Sequence, residues 1–445
     1  MYLENNEESY AVAKFESMLK ENNILFFDVD EFEEIIEYYL QYGRKAKRAL
    51  DIGLSQHPYA SSLKLLYAEE LVFEDRLDEA TQLLSELEGI EPMNAEVFVQ
   101  KANLYSKLNQ HQKAIELLVH ASSLTDELSD VYALIAMEYT YIEDYPQAKY
   151  YFTKCLECDP QDYTALQQLL YCYEVLGQTA EAKTFLNDYL DQNPYCEIAW
   201  YCLGKLYITD DDLKNALRCF DFAIISDDTF TGAYFEKARV LEAMEQYEKA
   251  IENYKITLTL DDPSALVYLH IGRCYEKMRN DQKAEEYYFR ATHEDPQLGK
   301  AWITLADFYY LRRKHDKALK YIQKLLSFEP NEPYYWRRYA ELNYFELGNI
   351  DEAEYGYRRA VQNGDYSYAT LIEWIDLMLL TEKYQDALPI ISDVVFIYPT
   401  ELDNYYRIAL AYYGTGDEDN AEKYYQLGVA KAPQWQSFFE SKFNF

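Results

Sequence analysis

The chain has 445 residues, with 78 Asp plus Glu against 42 Lys plus Arg, a formal net charge of −36, and 47 tyrosines. It is 49% hydrophobic and 16% aromatic, which supplies a core and excludes a disordered composition. The charge argues against nucleic acid and anionic membranes as partners, because both are bound through cations.

The first residues, Met1 to Glu8, carry no basic segment followed by an apolar one, so no secretory signal is read and a cytoplasmic location is expected. The most apolar stretch, Leu371 to Leu380, is broken by Glu373 and Asp376, so no membrane insertion is expected. From Glu7 to Lys20, Ala11, Val12, Phe15, Met18 and Leu19 stand at helical spacing, predicting a helix; residues 1–26 are read as an acidic N-terminal cap. Next, Phe32, Ile35, Ile36, Tyr39 and Leu40 keep helical spacing in a first repeat that departs from its successors by carrying Glu34 and Glu37.

From there the chain repeats itself. Pro58, Pro92, Pro160, Pro194, Pro296 and Pro330 are separated by multiples of 34 residues, and Pro399 and Pro433 resume the step after one inserted residue near 345–350. Twelve residues before each slot stands an alanine, from Ala46 through Ala216 and Ala318 to Ala421, without exception. With that alanine as position 20, position 4 is often aromatic (Trp200, Trp302, Trp336) and position 8 small (Ala102, Gly204, Gly272). Position 11 is often tyrosine (Tyr173, Tyr207, Tyr309), and position 24 is bulky (Phe220, Tyr254, Tyr288, Tyr357). Positions 4, 8 and 11 share one helical face and 20, 24 and 27 another, so each repeat is predicted to be an antiparallel helix pair. Small residues at 8 and 20 let the two helices approach, while the wide tyrosine rings are expected to fill the junctions and keep their hydroxyls in water. Asn109, Gly177, Asp211, Asn280, Gly348 and Gly416 are read as turn residues between the helices.

These columns resemble the tetratricopeptide repeat; repeat six carries its pattern as Trp200, Leu203, Gly204, Tyr207, Ala216, Phe220 and Ala223. The resemblance covers 27–435 as twelve tandem repeats and implies an all-α fold, a right-handed α-solenoid superhelix with capping helices. It also implies a protein-binding scaffold, not an enzyme. Repeats ten and eleven form a seam, with the inserted residue, Asp365 in place of proline, and Pro389 inside a predicted helix; a local change of pitch is expected there. Residues 436–445 form an aromatic cap or tail, in which Phe438, Phe439, Phe443 and Phe445 follow Trp435; packing on the last helix pair is the reading preferred to a docking tail.

No catalytic residues, cofactor or metal site are expected. There is no phosphate-cradling glycine loop, and the six histidines are scattered. Cys155 and Cys158 have the spacing of half a zinc site but lack a second pair, so they are read as free thiols.

In arrays of this family the first helix of each repeat lines a groove through positions 2, 5, 9 and 12. Position 9 from repeat six onward reads Lys205, Arg239, Arg273, Asp307, Glu341, Asp376: three cations, then three anions. Beside the cations, position 5 gives Tyr201, Phe235 and Leu269, and position 12 adds Tyr310, Tyr344 and Tyr413. These nine residues are the candidate partner-binding set, suited to a protein or peptide segment with acidic and apolar side chains. The competing reading is internal pairing, with Glu242 and Glu276 three residues after Arg239 and Arg273. The two-carboxylate clamp of chaperone-tail receptors is matched only by Arg338 and is disfavoured. The functions in play are a protein-binding adaptor, a peptide-sensing regulator, and a non-catalytic subunit of an enzyme complex.

Overall fold

A computed structural model describes residues 10–21, 25–42 and 46–443. Every regular element among them is helical. They divide into two compact units, 1–212 and 213–445, and the division falls between the helices of repeat six, Glu197–Thr209 and Leu213–Ser226.

The first unit opens with the helix Tyr10–Glu21, which buries Ala11, Val12, Phe15 and Met18. The Phe15 ring lies 5.7 Å from Phe27 and 6.5 Å from Phe32, so this helix covers the apolar face of repeat one while Glu34 and Glu37 face solvent. The expected residues Glu7 to Ser9 lie outside the described ones. Helix pairs such as Leu128–Tyr141 with Tyr145–Cys158 follow, up to the first helix of repeat six.

The second unit holds the second helix of repeat six and repeats seven to twelve. It closes with Gln436–Phe443, where Phe439 is buried and stacks on Tyr406 at 5.1 Å. Phe439 therefore packs on the last helix pair, while Trp435 and Phe438 stay partly exposed. The Phe443 side chain and Phe445 fall outside the described residues.

The alanine column works as its spacing implies: every one of the twelve is buried, none more than 6% exposed. The close approach is seen at Gly272, where a Cβ would stand 2.6 Å from the Tyr288 ring. Between the paired helices of repeats two to twelve, one backbone position takes a left-handed conformation: Asp75, Asn109, Glu143, Gly177, Asp211, Glu245, Arg279, Arg313, Gly348, Glu382 and Gly416. The following amide reaches back five residues, as from Gln110 to the Tyr105 carbonyl at 2.8 Å, closing the helix with the bond pattern of a Schellman cap. One expectation is corrected here. Arg279, not Asn280, turns the chain in repeat eight; Asn280 caps the next helix by accepting from the Lys283 amide.

At the seam, the inserted residue is absorbed by a π-helical segment, Leu342–Leu347. The Asn349 amide bonds the Asn343 carbonyl six residues back at 2.8 Å, where sister repeats span five. Asn343, on the tyrosine column, is fully buried and donates its side-chain amide to the Tyr339 carbonyl at 2.9 Å. The helix Tyr384–Ile397 runs unbroken through Pro389, so the winding changes at 342–347 and not at the proline.

The tyrosine expectation also needs correction. Tyr254, Tyr288 and Tyr357 at position 24 are fully buried and donate to Glu242 (2.9 Å), Glu276 (2.7 Å) and Glu373 (2.9 Å). A buried hydroxyl without a partner is costly, and a carboxylate is the strongest acceptor on hand. Tyr309 to Glu285, Tyr339 to Glu352 and Tyr425 to Glu440 repeat the arrangement.

Candidate partner-binding surface

The position-9 residues stand on the first helices of their repeats: Lys205, Arg239 and Arg273 are exposed, Asp307 and Glu341 half-buried, and Asp376 buried. They differ in how far they are already paired. Arg239 bonds both carboxylate oxygens of Glu236 at 2.8 and 2.9 Å, and Arg273 lies 3.8 Å from Glu242. The internal pairing expected with Glu242 and Glu276 thus exists with different partners, because Glu276 is held by Arg312 (2.9 Å) and Tyr288. The anions are also satisfied within the fold: Asp307 by Arg338 (2.7 Å), Glu341 by Arg337 and Arg338, and Asp376 by Arg407 (2.7 Å). Arg407, itself buried, binds Asp403 as well at 2.5 Å and lies 5.0 Å from the Phe439 ring. Such buried charges fix geometry through mutual pairing and have little left for a partner.

Lys205 is the exception. It is exposed and makes no ion pair among the described residues; its ammonium rests 5.6 Å from the Tyr201 ring. It borders a cavity of about 400 Å³ between the first helices of repeats five and six, lined by Gln167, Leu170, Tyr171, Glu174 and Cys202. Burial pushes the Cys202 thiol up to about 11, so it contributes an apolar, uncharged wall. An apolar pocket of this size with one cation and one anion at its rim suits a large side chain beside a charged group. Tyr171 and Gln167 occupy positions 9 and 5 of repeat five, one step before the column as read from the sequence. Continuing the column toward the N-terminus finds them.

The remaining candidates lie in the second unit. Leu269 is 0% exposed and belongs to the core beneath the surface, so its assignment to partner contact is withdrawn. It is a position-5 residue drawn inward between Val267 and Ile271, both buried in the same core. Phe235 is half-buried against Tyr254 and His270. Tyr310 bonds Glu346 at 3.2 Å and sits under the Arg338 guanidinium, and Tyr344 packs on Phe345 at 4.7 Å. Tyr413 is 64% exposed.

His270 Nδ1 and the Tyr254 hydroxyl meet on Glu242, each at 2.9 Å, and the His270 ring stacks on Tyr254. This arrangement ties repeats seven and eight together and presents no nucleophile to solvent. Cys155 and Cys172 are buried, each with its thiol pushed up to about 11 by burial, while Cys158 is exposed. They are not arranged as a thiolate pair.

Three models of the tetratricopeptide repeat match the chain, over residues 143–206 and 282–342, over 235–299, and over 95–127 and 402–432. The chain is 27% identical over 160 residues to anaphase-promoting complex subunit 3 of Schizosaccharomyces pombe, covering 36% of this chain and 24% of that one. It is 24% identical over 263 residues to a TPR repeat-containing protein of Methanocaldococcus jannaschii, covering 55% and 44%. It therefore spans less than half the length of these curated relatives. Among solved structures, the APC/C hetero-tetramer Cut9-Hcn1 is similar at 16% identity, with a TM-score of 0.37 and coverage of 90% of this chain and 92% of that one. With its 34-residue helix pairs, its close contacts at alanine and glycine and these matches, the chain belongs to the tetratricopeptide repeat family.

Proposed function

We propose that the chain is a non-enzymatic scaffold that holds a peptide or protein segment against the first helices of its repeats. The observation that carries this reading is Lys205, the one member of the position-9 column without a carboxylate partner among the described residues, at the rim of an apolar cavity of about 400 Å³. An aromatic or branched aliphatic side chain fills the cavity, and an adjacent carboxylate pairs with Lys205. Arg239 and Arg273 are already engaged by Glu236 and Glu242 and are not part of this site. Affinity capture from the native cell with wild-type protein and with Lys205→Glu and Tyr171→Ala variants tests it. Partners lost from both variants support the site. Full retention by variants with unchanged circular dichroism refutes it.

A second reading, a non-catalytic subunit of a larger enzyme assembly, is favoured by the similarity to an anaphase-promoting complex subunit. Native size-exclusion of the endogenous protein distinguishes the two: a stable large assembly supports the subunit, free chain with exchangeable partners the adaptor.

A further inference from the structure

In a chain of net charge −36, the segment Arg312 to Lys324 reads Arg-Arg-Lys-His-Asp-Lys-Ala-Leu-Lys-Tyr-Ile-Gln-Lys, with one acidic residue. It forms the turn of repeat nine and most of the helix His315–Phe328. That helix buries Ala318, Ile322, Leu325 and Leu326 on one side. Lys317, Lys320 and Lys324 project from another, because offsets of three and seven residues fall within about 60° on an α-helix. With Arg313 and Lys314 in the turn, five exposed cations form one strip, and none has an ion-pair partner among the described residues.

The anions nearby are spoken for. Arg312 takes Glu276 and Asp281, Glu346 faces His315 at 3.4 Å, Glu286 on the preceding outer helix binds Arg290, and Glu352 on the following one accepts from Tyr339. Asp316 alone adds a negative charge within the strip. At the head of the strip a cavity of about 330 Å³ is lined by Arg313, Lys314, His315, Asp316, Lys317 and Leu347, three cations and a histidine around one carboxylate. Two exposed apolar side chains occupy equivalent places in repeats nine and ten, Leu311 (72% exposed) two residues before Arg313, and Phe345 (60%) on the π segment two residues before Leu347 of the cavity wall.

We propose that this outer face of repeat nine docks an acidic polypeptide segment, Asp- and Glu-rich and carrying a large apolar residue. The cations pair with its carboxylates, and Leu311 and Phe345 receive the apolar anchor. Lys317 to Lys324 spans about 10 Å, which matches carboxylates three and four residues apart on a partner helix or alternate residues of an extended strand. Nucleic acid and anionic lipid fit less well: both present a dense negative field to a chain of −36, and neither phosphate backbone needs the two apolar side chains. This surface is separate from the Lys205 site and stands without it.

The test uses the full chain and a fluorescein-labelled peptide of eight glutamates flanking two leucines, followed by anisotropy at low salt. Its lysine counterpart, a single-stranded oligonucleotide and phosphatidylserine vesicles are run beside it. Wild type binds the acidic peptide above the lysine peptide, and Lys317→Glu/Lys320→Glu/Lys324→Glu weakens it about ten-fold or more. The triple Gln variant weakens it less, Leu311→Ser/Phe345→Ser also weakens it, and the same losses are read in a Lys205→Glu background, which removes the other carboxylate-binding site. Equal binding of the two peptides, or no effect of charge reversal in a variant with wild-type circular dichroism, overturns the proposal. Tighter binding of the oligonucleotide or the vesicles, abolished by the same reversal, reassigns the surface to that polyanion and overturns the polypeptide reading.

Discussion

Replacing Tyr254 by Phe removes one oxygen and tests whether the buried position-24 hydroxyls are bound to half-buried carboxylates and not to water. Tyr254 is 0% exposed, and its hydroxyl donates to Glu242 at 2.9 Å. A hydrogen bond to a charged acceptor contributes about 1.5–3 kcal/mol. Glu242 keeps His270 and the more distant Arg273 after the change, so the loss falls toward the lower end, about 1.5–2 kcal/mol. In a unit of this size that corresponds to a fall in Tm of about 3–8 °C. The measurement is urea and thermal unfolding followed by circular dichroism, with the Glu242→Gln single variant and the double variant closing a cycle. Tyr366→Phe, on a ring 57% exposed, serves as the control and changes little. A loss below about 0.5 kcal/mol, or additive single effects, would show that the hydroxyl has no special acceptor and refute the reasoning.

Gly272→Ala places a methyl 2.6 Å from the Tyr288 ring and is expected to cost about 1–3 kcal/mol by overpacking, read from the urea midpoint at unchanged m. Arg279→Gly acts in the opposite direction. A left-handed non-glycine residue costs about 1–2 kcal/mol and glycine gives back about 0.5–1 in chain entropy, so the variant gains roughly 0.5–1 kcal/mol; a destabilised variant would show that the Arg279 side chain has a structural role. Glu373 is held above the usual carboxylate range by burial, reinforced by the nearby Glu341, against the opposing hydrogen bond from Tyr357. Its folded form binds a proton more readily than its unfolded form, so its contribution is present below the unfolded value of about 4.3 and lost as pH rises through the folded value. Glu373→Gln should therefore gain on wild type as pH rises above about 4.3; a stability gap independent of pH counts against this.

The sequence by itself determined the repeat. A 34-residue period, alanine at position 20 and small residues at position 8 are local facts, because each helix pair closes on itself before it meets a neighbour. Asn109, Gly177 and Gly416 were legible as turns for the same reason, but Arg279, Glu245 and Glu382 were not, since their left-handed backbone is imposed by the helix pair against their own preference. Where the extra residue of repeat ten would go was equally hidden. It depended on Asn343 finding the Tyr339 carbonyl in a buried turn. Only the tertiary structure decided which charges remain available. Glu242 draws on Tyr254, His270 and Arg273, residues of two repeats, and Asp376 meets Arg407 across 31 positions, so these pairings follow the stacking of repeats, whereas Arg239 is taken by Glu236 within its own helix. The stacking takes up Arg273 and leaves Lys205 and the lysines of repeat nine without carboxylate partners among the described residues. It also joins the two unusual totals of the composition, because many of the tyrosines are held by the acidic residues that make the chain so negative.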